Sequence, residues 1–154
     1  MPLPYRLFYR RRRPTRWGKL LNGAWAWLFS LGILPASLVA LETQGRRSGQ
    51  PRVNALVAGE YEGERYLVSM LGDHVDWLRN VRAAGGEAFI RRRGRRRVRL
   101  EEVPVEGRAP ILQAYYRQAS GARPHFDVPA QPALEDFERV AARHPVFRIA
   151  QRET

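Results

Sequence analysis

The stretch that decides the fold is Leu41–Arg52, LETQGRRSGQPR, in which two arginines and a serine lie between two glycines. The sequence before it, SLVALET, and the sequence after it, VNALVAGEY, are both strand-like. Together they predict a hairpin with a basic turn. Because such a turn can direct backbone N–H groups and guanidinium groups at one anion, the same residues indicate an anion-binding site.

The rest of the chain continues this pattern of strands with short turns. We predict strands at Ser37–Thr43, Arg52–Tyr61, Arg65–Leu71, Glu87–Arg93, Arg95–Pro104 and Pro145–Ala150. Helices are predicted from Asp73, as the N-cap, to about Ala84, then over Ala109–Gln118 and Ala133–Ala142. The fold class is therefore α+β, mainly β with helices, built on a small barrel of about six mostly antiparallel strands.

Composition limits the function classes. The 154 residues fit one domain, and the absence of cysteine excludes disulfides, iron–sulfur clusters and thiolate zinc sites. His74, His125 and His144 do not have the spacing of metal ligands, so we expect no metal site. The 27 basic residues, all but one of them arginine, outnumber 15 acidic residues and favour an anionic partner, although genome composition can produce the same bias.

The N-terminal segment, residues 1–36, is expected to precede a barrel domain over residues 37–154. Seven basic residues lie in its first 19 positions, and Leu20–Leu41 contains no charged residue. An amphipathic helix is predicted over Trp17–Leu34. It could pack on the barrel mouth or a homodimer partner, or lie on an anionic membrane surface at the inner face of the cell membrane. We expect a cytoplasmic protein. Pro35 argues against a transmembrane span.

The order of these motifs resembles the deazaflavin-dependent nitroreductase family from about Val39 to the terminal HPVFRI. The resemblance is carried by the GRRSGQPR turn with VNALV after it, the strand RYLVSML with its Gly-Asp turn, and the helix of DWLRNVRAAG. It implies a split β-barrel, shared with flavin-mononucleotide-binding oxidases. It also implies hydride transfer from reduced coenzyme F-420 to a small-molecule acceptor.

The resemblance also assigns the residues of the site. The turn and the next strand would hold the phosphate and oligoglutamate tail of F-420, with the tricyclic ring beyond them. By the resemblance, the tail contacts are Arg46, Arg47, Ser48, Gly49 and Arg52. The residues that pass beneath the ring are Val53, Asn54, Ala55 and Leu56. The other side of the ring faces Val68, Ser69 and Met70, and the site is closed by Trp77 and Asn80. Family members often carry lysine where Met70 stands, so one tail contact is missing here.

The acceptor side is less specified by the sequence. Tyr115 and Phe126 are candidates for an aromatic wall against a planar substrate, and Tyr116 for a hydrogen bond or proton to the reduced acceptor. No Ser/His/Asp set or carboxylate pair supports hydrolysis. This is consistent with hydride transfer, because the deazaflavin carries the reactive carbon and the protein needs only to position the acceptor beside it and exclude water.

Three functions follow from the sequence. The leading one is an F-420-dependent oxidoreductase that reduces a quinone, nitro or activated-alkene acceptor. The alternative is a non-enzymatic carrier that binds flavin mononucleotide (FMN), heme or a fatty acid. A nucleic-acid-binding module rests on charge alone. The seven arginines within Arg91–Arg99 either extend the anion groove or form a solvated strand face.

Overall fold

A computed structural model describes residues 9–10, 13–14 and 38–151 of the chain. The helix predicted over Trp17–Leu34 lies outside these residues, so the domain division at residue 37 stays a prediction. Tyr9–Arg10 and Arg13–Pro14 form a short antiparallel pair. Within the described ranges, no helix has the length and apolar character needed to cross a bilayer.

Six strands form a closed antiparallel barrel, which confirms the predicted fold class. They are β1 (Leu38–Gln44), β2 (Pro51–Tyr61), β3 (Glu64–Val68), β4 (Glu87–Arg91), β5 (Arg95–Glu102) and β6 (Val146–Gln151). Neighbours follow the order β1, β2, β3, β6, β5, β4, and β4 pairs back with β1. The long strand β2 serves two partners, because its residues through Val57 pair with β1 and Ala58–Tyr61 pair with β3.

Alternate residues of each strand point into the barrel, and the cluster that they form there is apolar. Helix α1 (Asp76–Ala83) lies across one end and adds Trp77, Leu78 and Val81 to the interior cluster. The strand residues of this cluster are Val39, Leu41, Leu56, Ala58, Leu67, Ala88, Ile90, Val98, Leu100, Phe147 and Ile149.

A second core lies on the outer face of the barrel. Helices α2 (Val105–Gln118) and α3 (Leu134–Val140), with short 3-10 turns at Ser120–His125 and Ala141–Arg143, cover this face. The close approach of α2 to β2 requires Gly59, since a Cβ there would stand 2.7 Å from Cδ2 of Tyr115. The Tyr115 hydroxyl donates to the Val57 carbonyl at 3.1 Å and fixes the helix on the strand.

Several predicted boundaries were wrong. Asp73 is not the N-cap of α1: the helix begins at Asp76 after Val75, and the Asp73 carboxylate accepts a hydrogen bond from Arg82 at 3.3 Å. Strand β3 ends at Val68 instead of Leu71, because the Ser69 hydroxyl donates to the Gly72 carbonyl at 2.6 Å and the chain turns.

Helix α2 begins at Val105, four residues before the predicted start. Pro110 therefore lies inside the helix and not in its first turn, the position that proline prefers. Strands β4 and β5 each end two residues earlier than predicted, at Arg91 and Glu102.

Candidate anion site at the β1–β2 turn

The turn Gly45–Gln50 closes on itself through its own backbone. The Gly45 N–H donates to the Gln50 carbonyl and the Gly49 N–H donates to the Gly45 carbonyl, both at 2.8 Å. The Gln50 N–H donates to the Ser48 hydroxyl at 3.2 Å. Gly49 has a φ of 71°, a left-handed conformation that glycine adopts without steric cost. The turn thus has a defined shape before any ligand binds.

Asn80 holds this turn on helix α1. Its Oδ1 accepts hydrogen bonds from the Arg46 N–H at 3.2 Å and from the Arg46 guanidinium at 2.9 Å, while its Nδ2 donates to the Thr43 hydroxyl at 3.1 Å. Asn80 and Thr43 are 3% and 1% exposed. Sequence reasoning missed Thr43 as a member of this network.

The Arg46 guanidinium is already engaged. Besides Asn80 it contacts the Asp76 carboxylate at 3.4 Å, and its side chain is 24% exposed although the turn residues as a group lie at the surface. Asp76 and Asn80 are four residues apart on α1 and therefore share a face, the one signal in the sequence that could have indicated this contact. Arg46 thus fixes the turn, and only part of its charge is available to a ligand.

Arg47 and Arg52 are the available cations of the turn. Both are exposed, and neither has a carboxylate partner in the described part of the chain. The backbone N–H groups of Arg47 and Ser48 make no hydrogen bond to any described residue. Two exposed guanidinium groups and two unpaired N–H groups of consecutive residues are groups of the kind that bind phosphate or carboxylate.

A groove of about 250 Å³ separates the turn from α1. It is lined by Gln44, Gly45, Arg46, Gly49, Asn80, Ala83 and Ala84. The volume is below the range of about 300–1,000 Å³ that is usual for small-molecule sites. Arg47, Ser48 and Arg52 do not line it, so an anion held by them would lie outside this groove.

The four strand residues assigned to the ring fall on two faces of β2. Asn54 and Leu56 stand opposite the interior residues Leu41 and Val39, and so point to the interior face. Val53 and Ala55 point to the other face, where Ala55 stands opposite Ala40. All four are half-buried. A ring lying on one face of this strand would touch only two of the four side chains.

The remaining residues assigned to the cofactor lie in or beside the cores. Trp77 is 6% exposed and packs edge-on against Phe147, with ring centroids 5.9 Å apart, so it points into the barrel while Asn80 points to the turn. Val68 and Ser69 are buried, and Met70 is half-buried against the outer core.

The candidate acceptor residues lie in the outer core. Tyr115 and Phe126 are 4% and 6% exposed, and burial raises the pKa of Tyr115 to about 12. Tyr116 is half-buried, with its ring 5.7 Å from that of Phe126 and 5.2 Å from the Arg123 guanidinium. Its hydroxyl has no hydrogen-bond partner among the described residues. Tyr116 is thus the one of the three that retains a free polar group.

Metal ligands do not converge in the described ranges, where no three histidine, aspartate or glutamate side chains form a group that could hold an ion. His144 is buried, and burial lowers its pKa although hydrogen bonds that the imidazole donates to the backbone of Ser69 and Met70 oppose this effect.

Comparison with known proteins gives one family match. The model described as F420H(2)-dependent quinone reductase matches residues 29–131, more than half of the chain. No curated protein is similar enough to match.

Solved structures share the fold at low sequence identity. The F420-H2 dependent reductase FDR-A has a TM-score of 0.53 at 19% identity, covering 76% of this chain and 96% of its own. A putative 5-nitroimidazole antibiotic resistance protein from Bacteroides thetaiotaomicron has a TM-score of 0.53 at 14% identity, covering 79% of this chain and 76% of its own.

The Agrobacterium tumefaciens protein Atu2129, of unknown function, has a TM-score of 0.55 at 13% identity over 83% of this chain. The present chain spans about half of that protein, 54% of its length. At these identities the likeness shows the fold alone.

Proposed function

The chain belongs to the F420H(2)-dependent quinone reductase family, and on that premise we propose that it reduces a quinone with a hydride from reduced coenzyme F-420. Nitro compounds and activated alkenes are the further acceptor classes that we propose. The family is one of F-420-dependent oxidoreductases, so the cofactor follows from membership. The acceptor and the residues that hold the cofactor are our inference.

The observation that supports this proposal is the difference in contacts between Arg46 and the two other arginines, Arg47 and Arg52. Arg46 is held by Asn80 and Asp76, whereas Arg47 and Arg52 carry charges that no described carboxylate neutralises. A tail with a phosphodiester and several glutamates is strongly anionic, and these two arginines with the N–H groups of Arg47 and Ser48 fit it. We assign them as the tail contacts and Arg46 as the residue that positions them.

The ring would lie beyond the turn, along the half-buried residues Val53–Leu56. When bound, the reduced deazaflavin supplies the hydride, and the protein contributes mainly position and exclusion of water. The Tyr115 hydroxyl contributes to position, because it ties α2 to β2 at Val57, one residue after this segment. We propose the free hydroxyl of Tyr116 as the hydrogen-bond donor to the acceptor.

A competitive titration tests the cofactor. The full-length protein is titrated with F-420, FMN and heme, and quenching of tryptophan fluorescence reports binding. We expect F-420 to bind most tightly, and binding to weaken as salt rises because part of the attraction is screened charge. A clear preference for FMN or heme would overturn the cofactor assignment and favour a carrier.

Turnover with a quinone, a nitroarene and an activated alkene then tests the reaction. We expect reduced F-420 to be oxidised fastest with the quinone. Tight F-420 binding without oxidation by any of the three would contradict the proposed reaction while leaving the cofactor intact. In the variant Tyr116→Phe, F-420 affinity should be retained and the turnover rate should fall. Unchanged turnover would remove Tyr116 from the site.

A further inference from the structure

The β4–β5 hairpin concentrates more positive charge than any other segment of similar length in the sequence. Seven arginines lie within Arg91–Arg99, and the turn at Arg93 and Gly94 has positive φ at both positions. Arg91 and Arg95 stand opposite each other in the ladder next to this turn. Two questions decide what the hairpin does: which of its charges are neutralised, and which end of the barrel it occupies.

Glu42 neutralises two arginines beside the turn of the hairpin and fixes them to β1. This carboxylate is 3% exposed and accepts hydrogen bonds from Nε of Arg91 at 3.1 Å and from Nε of Arg95 at 2.8 Å. The Arg95 guanidinium also lies 3.4 Å from the centroid of the Phe89 ring. Two ion pairs and a cation–π contact hold the hairpin in a defined position on the barrel.

The other arginines of the hairpin are not neutralised by Glu42. Arg92, Arg93, Arg96 and Arg97 are exposed, and none of them contacts a carboxylate in the described part of the chain. The positive potential reaches β3, which pairs with neither strand of the hairpin: burial lowers the pKa of Arg65, and Arg96 and Arg92 lower it further against the opposing effect of Glu60. The tip is therefore a compact cationic surface.

This surface is separate from the β1–β2 turn. Arg91 stands opposite Ala40 in the register of β4 and β1, so the turn at Arg93 and Gly94 lies at the start of β1. Arg97 stands opposite Phe89, level with Glu42, and is not part of this tip. The β1–β2 turn begins at Gly45, five residues further along β1, a span of about 17 Å. The two basic regions occupy opposite ends of the barrel, so the tip cannot extend the anion site of the turn.

The tip shares its end of the barrel with the point where the chain enters β1. That strand begins at Leu38, and the preceding residues 20–37 contain two tryptophans, many aliphatic residues and no charge. Apolar and tryptophan-rich sequence beside clustered arginines is the composition of a protein that lies on an anionic bilayer. The arginines at the turn of the hairpin and the point where this apolar sequence joins β1 thus lie at the same end of the barrel.

We propose that the hairpin tip, Arg92, Arg93 and Arg96, docks on an anionic phospholipid surface and turns this end of the barrel toward the bilayer. Nucleic acid is the less favoured partner. Single-stranded binding uses exposed aromatic rings between basic residues, and Phe89, the aromatic residue of the hairpin, is half-buried beneath Arg95. The proposal does not depend on the cofactor or on the acceptor.

Sedimentation of the full-length protein with vesicles tests the proposal. One set contains phosphatidylcholine and phosphatidylglycerol in equal amounts, and the other contains phosphatidylcholine alone. The hairpin variant carries Arg92→Gln and Arg93→Gln, neither of which contacts Glu42. The matched control carries Arg139→Gln and Arg143→Gln, two exposed arginines of the helical layer, so both variants lose the same net charge.

We expect the wild type to sediment with the anionic vesicles and not with the neutral ones at low salt. The hairpin variant should partition about 30-fold more weakly, the effect of two basic residues at an anionic surface, and the control should partition like the wild type. Equal losses in both variants would show a net-charge effect without a docking surface and would overturn the proposal. No loss in the hairpin variant would do the same.

A parallel titration with a labelled oligonucleotide, single-stranded and then duplex, decides between partners. If the hairpin variant loses oligonucleotide binding while its vesicle binding is unchanged, the surface binds nucleic acid and the lipid proposal is wrong. Circular dichroism of both variants confirms that their fold is intact.

Discussion

The β1–β2 turn and the β4–β5 hairpin tip both concentrate arginine at an end of the barrel, and they differ in what anchors them. The turn is anchored by a neutral amide, Asn80, which positions Arg46 and leaves Arg47 and Arg52 available. The hairpin is anchored by a buried carboxylate, Glu42, which neutralises part of its charge and leaves the tip arginines as a surface.

This difference shows that a count of arginines does not identify a ligand site. An arginine whose hydrogen bonds are already satisfied by the protein positions the residues around it, whereas an arginine without a partner is available to bind a ligand. In the turn and at the start of β2 the available groups are the guanidinium groups of Arg47 and Arg52 and the N–H groups of Arg47 and Ser48. At the tip the available groups are guanidinium groups alone, and salt screens exposed charges in both regions.

The largest expected effect is loss of cofactor binding when the available arginines of the turn are removed. The double variant Arg47→Ala with Arg52→Ala should weaken F-420 binding by ~2–5 kcal/mol, because charge-assisted hydrogen bonds to a phosphate or carboxylate are lost. Isothermal titration at low salt measures the change. The double variant Arg92→Ala with Arg93→Ala is the comparison from the other region and should bind F-420 like the wild type.

If the two variants lost affinity equally, F-420 would be attracted by overall charge, and the assignment of the turn as the tail site would fail. If only the hairpin variant lost affinity, the two regions would have exchanged roles.

The anchor of the turn gives the next largest effect. Asn80→Ala should lower the free energy of unfolding by about 2–3 kcal/mol, because the Arg46 N–H and the Thr43 hydroxyl lose a buried partner. F-420 affinity should also fall, although Asn80 is not a proposed contact. Urea denaturation measures the first change and titration the second.

Thr43→Val is the graded control for that anchor. It removes one of the three hydrogen bonds and should cost about 1 kcal/mol of stability with little effect on affinity. If Asn80→Ala lost stability and kept full affinity, the turn would not need its anchor to bind.

The same two regions show how far the sequence determined the structure. The hairpin of LETQGRRSGQPR was predicted to within one residue in each strand, because alternating side chains and a glycine-rich turn are local signals. The contacts of Asn80 with Arg46 and Thr43 join residues 34 and 37 positions apart, and no local pattern encodes them. The resemblance placed Asn80 at the site, and only the structure showed that it acts on the turn.

Trp77 and β2 illustrate the same limit. The resemblance assigned Trp77 and Asn80 together to the closure of the site; in the structure Trp77 packs against Phe147, whereas Asn80 contacts the turn. The resemblance has the four residues Val53–Leu56 pass beneath the ring, and strand alternation, which the resemblance does not specify, divides their side chains between two faces.

The anchor of the hairpin is expected to have a smaller and pH-dependent effect. Burial raises the pKa of Glu42, but hydrogen bonds from Arg95 and Arg91 and their charges outweigh it, so the pKa lies below its usual value of 4.5. A carboxyl group with a lowered pKa in the folded state stabilises the fold above its unfolded pKa. That stabilisation is lost as the pH falls through the folded pKa.

Glu42→Gln should therefore cost about 1–2 kcal/mol at neutral pH, a modest value because Arg91 and Arg95 are 40% and 53% exposed. Denaturation from pH 7 down to pH 3 should show the wild type and the variant converging below about pH 4.5. A difference that stayed constant over this range would show that the charge of Glu42 does not stabilise the hairpin.

The smallest expected effect is the contact between Arg95 and the Phe89 ring. The Arg95 guanidinium lies 3.4 Å from the ring centroid and that of Arg97 lies 5.7 Å away, so only the first is close enough for a strong cation–π interaction. A double-mutant cycle of Phe89→Leu with Arg95→Gln should give a coupling energy of about 0.5–1 kcal/mol, whereas the cycle with Arg97→Gln should give less. Urea denaturation of the single and double variants measures both. Equal coupling in the two cycles would show that the ring responds to nearby charge in general. The hairpin would then be held by Glu42 alone. Glu42 would be a weaker anchor than the amide network that holds the turn.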